Sequence, residues 1–317
     1  MAQPANTFDS YDAVGIREDL SNVIYDVSPE ETPFLSSLSK GKATNTYHEW
    51  QTDALRASGA NAHIEGDDTT AEARTATTRL GNYTQIFKDA VSIPGTDDGL
   101  DKAGRGKEMA YQIMKVAKEQ KLDQEAALFA NNARVAGSSS VAREFAGAPA
   151  WLITNTDTGA TGSDPTGDGT DARTDGTQEA FTQTRFDGVM QSIWENGGKP
   201  DCVYLSAFQM NAALGFTGMN NQRSTITASR SSNMVVNDFD VYVTPWGAVT
   251  FKPTRENRSR DVFVMQSDMW GAAMLRPMKQ TPLAKTGDNE KRQVITEMTL
   301  MCKNEKASGG IFDNTTS

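Results

Sequence analysis

Gly106-Lys-Glu-Met-Ala-Tyr-Gln-Ile-Met-Lys-Val-Ala-Lys-Glu-Gln-Lys-Leu-Asp-Gln-Glu-Ala-Ala-Leu-Phe-Ala-Asn-Asn-Ala133 has no proline and, past its first residue, no glycine. Ala, Lys, Glu and Gln dominate it, residues that lose little side-chain freedom on coiling, so one long helix is predicted over about 101–133. Met109, Ile113, Val116, Ala117, Ala127 and Leu128 recur at the 3-4 spacing of a single stripe, which Gln120 and Gln124 interrupt. A helix of ~28 residues measures ~40 Å, longer than a small domain is wide. Its charges largely cancel on the remaining faces. The element therefore reads as a strut lying along a surface.

Toward the N-terminus, Thr44–Trp50 and Tyr83–Ile93 are rich in β-branched and aromatic residues and read as two paired strands. The stretch between them holds Gly59, Gly66, Asp67, Asp68 and many Ala and Thr. It has too little apolar matter to fold over a core of its own, so it calls for a partner chain. Residues 1–45 carry Pro4, Gly15, Pro29, Pro33 and Gly41 among short mixed segments, an extended arm with one short helix near Ile16–Tyr25. In Asp26-Val-Ser-Pro-Glu-Glu-Thr-Pro33, Ser28 is placed to cap and Pro29 to open a helical turn before Phe34, Leu35 and Leu38.

Toward the C-terminus, Ala150–Ile153 is strand-like, and a Gly-, Thr- and Asp-rich surface loop follows over 155–176. Phe186, Val189, Met190, Ile193 and Trp194 mark an amphipathic helix stopped by Gly197 and Gly198. The strand Asp201–Leu205 runs into Ser206, an N-cap with Gln209 at the reciprocal capping-box position. Strand candidates follow at 241–243, 248–251, 262–265, 272–275 and 293–303. In the last, Val294, Thr296, Met298, Leu300 and Cys302 share one face.

The 317 residues, 37% hydrophobic, are enough for two compact lobes. With 31 Lys and Arg against 41 Asp and Glu, the net charge of −10 excludes coating of nucleic acid by the whole surface. No apolar run approaches the ~20 residues of a membrane span. Two cysteines, Cys202 and Cys302, are too few for a disulfide framework, which fits assembly in a reducing cytoplasm. Catalytic signatures are equally scarce. His48 and His63 have no second ligand at zinc spacing, and the His63, Glu65, Asp67, Asp68 cluster reads as a solvated loop. There is no Gly-x-Ser-x-Gly elbow and no Gly-x-Gly-x-x-Gly. Gly106-Lys107 fails as a phosphate loop because Asp101 and Glu108 stand where glycine and a hydroxyl are needed. Asp164, Thr166, Asp168, Gly169 and Asp175 match a calcium loop in part, with Asp in place of the bidentate Glu and no flanking helices. The reading is of a protein that is not an enzyme and carries no cofactor, with Asp164, Asp168 and Asp175 as the one metal candidate.

The order of elements (arm, hairpin with an unsupported tip, strut helix, α/β lobe, returning strand) resembles the major capsid protein of tailed bacteriophages of the Hong Kong 97 type. Three stretches carry a similarity over most of the chain: Asp26-Val-Ser-Pro-Glu-Glu-Thr-Pro-Phe34; Met109–Glu119 continuing to Ala136-Gly-Ser-Ser-Ser140; and Pro282-Leu-Ala-Lys-Thr-Gly-Asp288 with 290–304. The resemblance implies an α+β subunit divided into an N-terminal arm (1–45), an extended loop (46–93), a peripheral domain with the spine helix (94–144), an axial domain (145–287) and a strand returning to the peripheral domain (288–317). It further implies hexamers and pentamers, with arm and hairpin lapping over neighbours. They would form an icosahedral head, a virion component assembled in the bacterial cytoplasm around double-stranded DNA held without sequence specificity. Scaffolding, portal and decoration proteins are the implied partners, and no residue matches the founding member's Lys–Asn cross-link. An encapsulin-type nanocompartment shell is the nearest alternative reading, and a calcium-stabilised two-lobed hydrolase a more distant one.

Overall fold

The computed structural model describes residues 31–68, 71, 73–100, 102, 106–216 and 241–316. The helix expected near Ile16–Tyr25 and the Ser28–Pro29 cap lie outside them. The first helix among the described residues, α1 (Pro33–Ser37), opens on Pro33, whose fixed φ and missing N–H suit a first helical position. Two sheets organise the rest. The first has the order β1-β10-β11-β4, from β1 (Ser39–Lys42), β4 (Gln85–Pro94), β10 (Trp270–Pro282) and β11 (Asn289–Cys302). The second has the order β5-β12-β9-β6-β8-β7, from β5 (Thr156–Asp157), β6 (Cys202–Leu205), β7 (Val241–Thr244), β8 (Gly247–Pro253), β9 (Val262–Met265) and β12 (Gly309–Ile311). A separate pair joins β2 (Tyr47–Thr52) to β3 (Thr78–Tyr83).

This pairing corrects the expected hairpin. The apolar run after Tyr83 does not face the first strand. It is β4, which pairs antiparallel with β11 from Gln85 opposite Met298 to Pro94 opposite Asn289. The strand that meets β2 is the less apolar Thr78–Tyr83. Similarly, 288–317 is not one returning strand: β11 lies in the four-stranded sheet, and after Glu305–Ala307 the chain crosses to the other sheet as β12. The long β10–β11 pair changes register between Met274 and Lys279, where Pro277 has no N–H to give the ladder.

The strut helix, α3 (Glu108–Phe129), is shorter than expected, and the short α2 (Gly95–Gly99) precedes it. α3 lies on the sheet face made by β4 and β11. The two glutamines that break its stripe are both buried, and Gln120 bonds into that face: Thr296 donates to Gln120 Oε1 at 2.8 Å. Gln120 Nε2 donates to Asp89 and to the Val294 carbonyl. Glu125, one turn on, is fully buried and accepts from the backbone N–H groups of Phe34 (2.9 Å) and Leu35 (2.7 Å), fastening α1 to α3.

Alternation in β6 and β9 divides the core. Val203, Leu205, Val262 and Val264 face one way, against α4 (Gln183–Glu195) and α5 (Ala207–Ala213), with Phe186, Val189, Met190 and Ile193 as the buried stripe of α4. Cys202, Tyr204, Phe263 and Met265 face the other way, toward Phe34, Phe129, Trp151, Trp270 and Met298 of the first lobe. Ser206 accepts from the Gln209 N–H as an N-cap should, but the Gln209 side chain donates to the Ser259 and Thr315 carbonyls rather than closing a capping box. Ala150–Ile153 is not a strand: Ala148–Ala150 form a single 3-10 turn, and Trp151 is buried in the first core.

Candidate assembly surface

The β2–β3 pair is anchored at its base and free at its tip. Asn82 is fully buried and bonds three times to the body: its amide donates to the carbonyls of Leu300 (3.0 Å) and Ala146 (3.3 Å), and its oxygen accepts from Ala146 N–H (3.0 Å). The Tyr47 and Tyr83 rings pack at 4.7 Å, tilted by 45°, and Trp50 packs on Trp151 at 5.4 Å. Gly81 is required opposite Glu49, since a Cβ there would lie 2.7 Å from the Tyr47 ring. Arg134 lies over the same ring and donates to the Gly81 carbonyl.

Past Thr52 this support ends. Every described residue from Asp53 to Arg79 is exposed, with no strand before Thr78. Leu55 and Ile64 are 99% and 81% exposed. Two large aliphatic side chains at such exposure lose the roughly 1.5–3 kcal/mol each that burial contributes. The limb arches over Cys302–Lys306, enclosing a cleft of about 620 Å³ lined by Asp53, Arg56, Arg74, Lys303 and Glu305, among others. The cleft is open, and its lining mixes these charged groups with apolar side chains such as Leu55, Leu80 and Trp151. The arrangement can bind another surface, through an apolar and acidic tip held at a fixed angle by its base.

The structure separates the residues singled out as a calcium site. Asp164 pairs with the buried Arg173 guanidinium, which lies 3.6 Å from the Phe312 ring and donates to the Leu152 carbonyl. Asp168 accepts from the Thr166 hydroxyl and from Thr170; burial pushes its pKa up, but these hydrogen bonds outweigh burial and hold it below the ordinary value. Asp175 pairs with Arg258 and Arg260. Among the described residues no three His, Cys, Asp or Glu side chains converge as metal ligands. These bonds pin the 155–176 loop to the body: Ser163 pairs with Thr174, and Arg260 reaches both Asp175 and Asp313. The buried Asp261 beneath it has its pKa raised to about 7, chiefly by burial. Of the tip cluster, His63 reaches Asn61 and, at 3.9 Å, Asp67. His48 lies at the hairpin base beside Trp50, its pKa lowered by burial. Among the described residues no helix is long and apolar enough to cross a membrane.

A subunit with a two-lobed body, a long helix on a sheet and a projecting hairpin belongs to the shell-forming class with the Hong Kong 97 type fold. Solved structures share it over nearly their whole length. The capsid asymmetric unit of Cyanophage A-1(L) superposes with a TM-score of 0.66 at 12% identity, covering 98% of this chain and 99% of that one. The capsid of an empty GTA particle gives 0.61 at 10%, covering 98% and 100%. The holo-SrpI encapsulin of Synechococcus elongatus PCC 7942 gives 0.58 at 10%, covering 98% and 97%. In sequence, the major capsid protein of Escherichia phage Phieco32 is 27% identical over 347 residues, 98% of each chain. The family model for the SU10 major capsid protein matches residues 3–315, and the chain belongs to that family. It is the major capsid protein of a tailed phage, a structural component of the virion capsid.

Proposed function

We propose that the chain acts without catalysis, assembling as hexamers and pentamers into an icosahedral head that encloses a double-stranded DNA genome. The observation that carries this reading is the hairpin whose base is bonded into the body while its tip exposes Leu55 and Ile64. Such a limb gains stability when a neighbouring copy covers it, and many modest contacts per subunit then add up to a durable shell. In this reading 46–93 is the lapping loop, 94–144 with the β10–β11 pair the peripheral body, and most of 145–287 with the six-stranded sheet the axial lobe. Assembly takes place in the bacterial cytoplasm, with scaffolding, portal and decoration proteins as partners. The net charge of −10 suits a wall that holds DNA by enclosure rather than by adhesion.

Deleting Gly59–Ala73 tests it. Soluble, folded subunits that do not close into stable particles under negative-stain microscopy are expected; particles of normal form and heat resistance would refute the lapping role. The encapsulin reading shares the fold and is separated by the cargo: purified particles should contain DNA rather than a packaged enzyme.

A further inference from the structure

Glu297, on β11, is 2% exposed, and three separate stretches of chain meet at its carboxylate. Arg143 Nη2 donates to Oε1 at 2.7 Å, Arg276 Nε to Oε2 at 2.7 Å, and the Thr84 hydroxyl to Oε1 at 2.8 Å. A buried carboxylate persists only where opposite charge and hydrogen bonds replace its water, and here two guanidiniums face one carboxylate. The backbone is bent to bring both there. Arg276 stands opposite Glu297 between two register shifts of the β10–β11 pair. Arg143 lies in a loop whose neck is closed by Val135 and Glu144 and which contains Ala136-Gly-Ser-Ser-Ser140. Gly137, at φ +76°, lies beneath the arginine: a Cβ there would come 2.5 Å from Arg143 Cγ.

Thr84 is the group on which this carboxylate acts. It is the one residue between β3, which belongs to the limb, and β4, which belongs to the body, and it is fully buried. Its N–H donates to the Thr46 carbonyl at 2.8 Å, just before β2, so both strands of the limb are rooted at this point. Asn82, two residues earlier, is bonded to Leu300. Leu300 and Glu297 lie on the same strand, roughly 10 Å apart along it. A single anchor leaves a pivot, whereas two anchors separated along one strand fix a direction.

We propose that Glu297 is a positioning residue for assembly: held by Arg143 and Arg276, it grips Thr84 and so sets the angle at which the limb leaves the body and reaches a neighbouring copy. The consequence for assembly rests on the lapping role of the limb, but the angle is a property of one chain. If the limb did not lap over a neighbour the angle would still be fixed, and if Glu297 did not fix the angle the lapping role would still stand.

Spin labels on Ile64→Cys at the limb tip and Met114→Cys on α3, both exposed, report the angle as a distance by pulsed electron paramagnetic resonance. The measurement uses soluble full-length subunits with excess unlabelled copies, so that distances within one chain are read; Cys202 and Cys302 are buried and do not label. Thr84→Val removes the hydroxyl that links limb to carboxylate and leaves both arginines paired. It should broaden the distance distribution roughly twofold and lower the yield of closed particles under negative-stain microscopy. Thr84→Ser keeps the hydroxyl and should return the wild-type distribution. Glu297→Gln keeps the shape without the charge and should broaden the distribution as Thr84→Val does; if it does not fold, the Thr84 pair still decides. A merely structural contact would lower the melting temperature without moving this distance. An unchanged distribution in Thr84→Val, or one equally broad in Thr84→Ser, would overturn the proposal, as would a wild-type yield of particles from subunits whose limb is splayed.

Discussion

Glu125 is the residue on which two forces disagree most plainly. Burial raises its pKa, the hydrogen bonds from Leu35 and Phe34 lower it, and burial wins, leaving it at about 7. The sign follows. Below about pH 4.5 the carboxyl is protonated in both the folded and unfolded states; as pH rises, the unfolded chain ionises first and stability falls until the folded pKa is passed. Wild-type protein should therefore lose up to about 3 kcal/mol between pH 4.5 and 8 from this group, at about 1.4 kcal/mol for each pH unit between the unfolded and folded pKa. Asp261 adds a loss of the same sign. Denaturation midpoints of Glu125→Gln against wild type isolate the share of Glu125: the variant's curve should be flatter, and parallel curves would deny the shift. Asn82→Ala leaves the Ala146 N–H buried and unbonded and should cost about 2 kcal/mol or more, seen as a lower unfolding midpoint. Neither role is legible in the sequence. Glu125 sits in a charge-rich helix like any solvent-facing acid, and Asn82 lies ordinarily between Gly81 and Tyr83. What singles them out is the 90 residues from Glu125 to Leu35 and the 218 from Asn82 to Leu300 that the fold closes up.

At the scale of elements, composition located α3, α4, β6 and most strands of the C-terminal half, because helical and two-residue periodicities survive in a linear string. Pairing does not survive. The β4 run looked like the partner of Thr44–Trp50 because it is the next β-rich segment, yet it zips to β11 over ten residues, which buries Phe87 and Ile93. Buried polar residues misled in the same way: Gln120 and Gln124 read as interruptions of the α3 stripe, whereas Gln120 meets Thr296 across the sheet. Proline at Val116, in the middle of the helix, removes one backbone bond and clashes with the preceding turn, at a cost of ~3 kcal/mol or more. Insoluble protein or a collapsed melting temperature is expected on expression, and normal particles would mean that no continuous helix is needed there.

For the molecule as a whole, removal of metal is the simplest probe. Asp164, Asp168 and Asp175 already bond to Arg173, to Thr166 and Thr170, and to Arg258 and Arg260. Excess chelator should therefore leave the melting temperature of intact particles where it was, and a clear fall would return calcium to that loop. The amino-acid string alone determined the long helix and a limb that cannot bury itself, because the stretch between the strands is poor in apolar residues and that deficit is a property of composition; the shell subunit entered through the resemblance of its element order and three stretches to a capsid family. Only the tertiary structure decided which strand holds the limb, where the last strand ends and which polar groups lie inside. Those outcomes turn on pairing and burial between residues far apart in sequence, where the free energy belongs to the contact and to neither residue by itself.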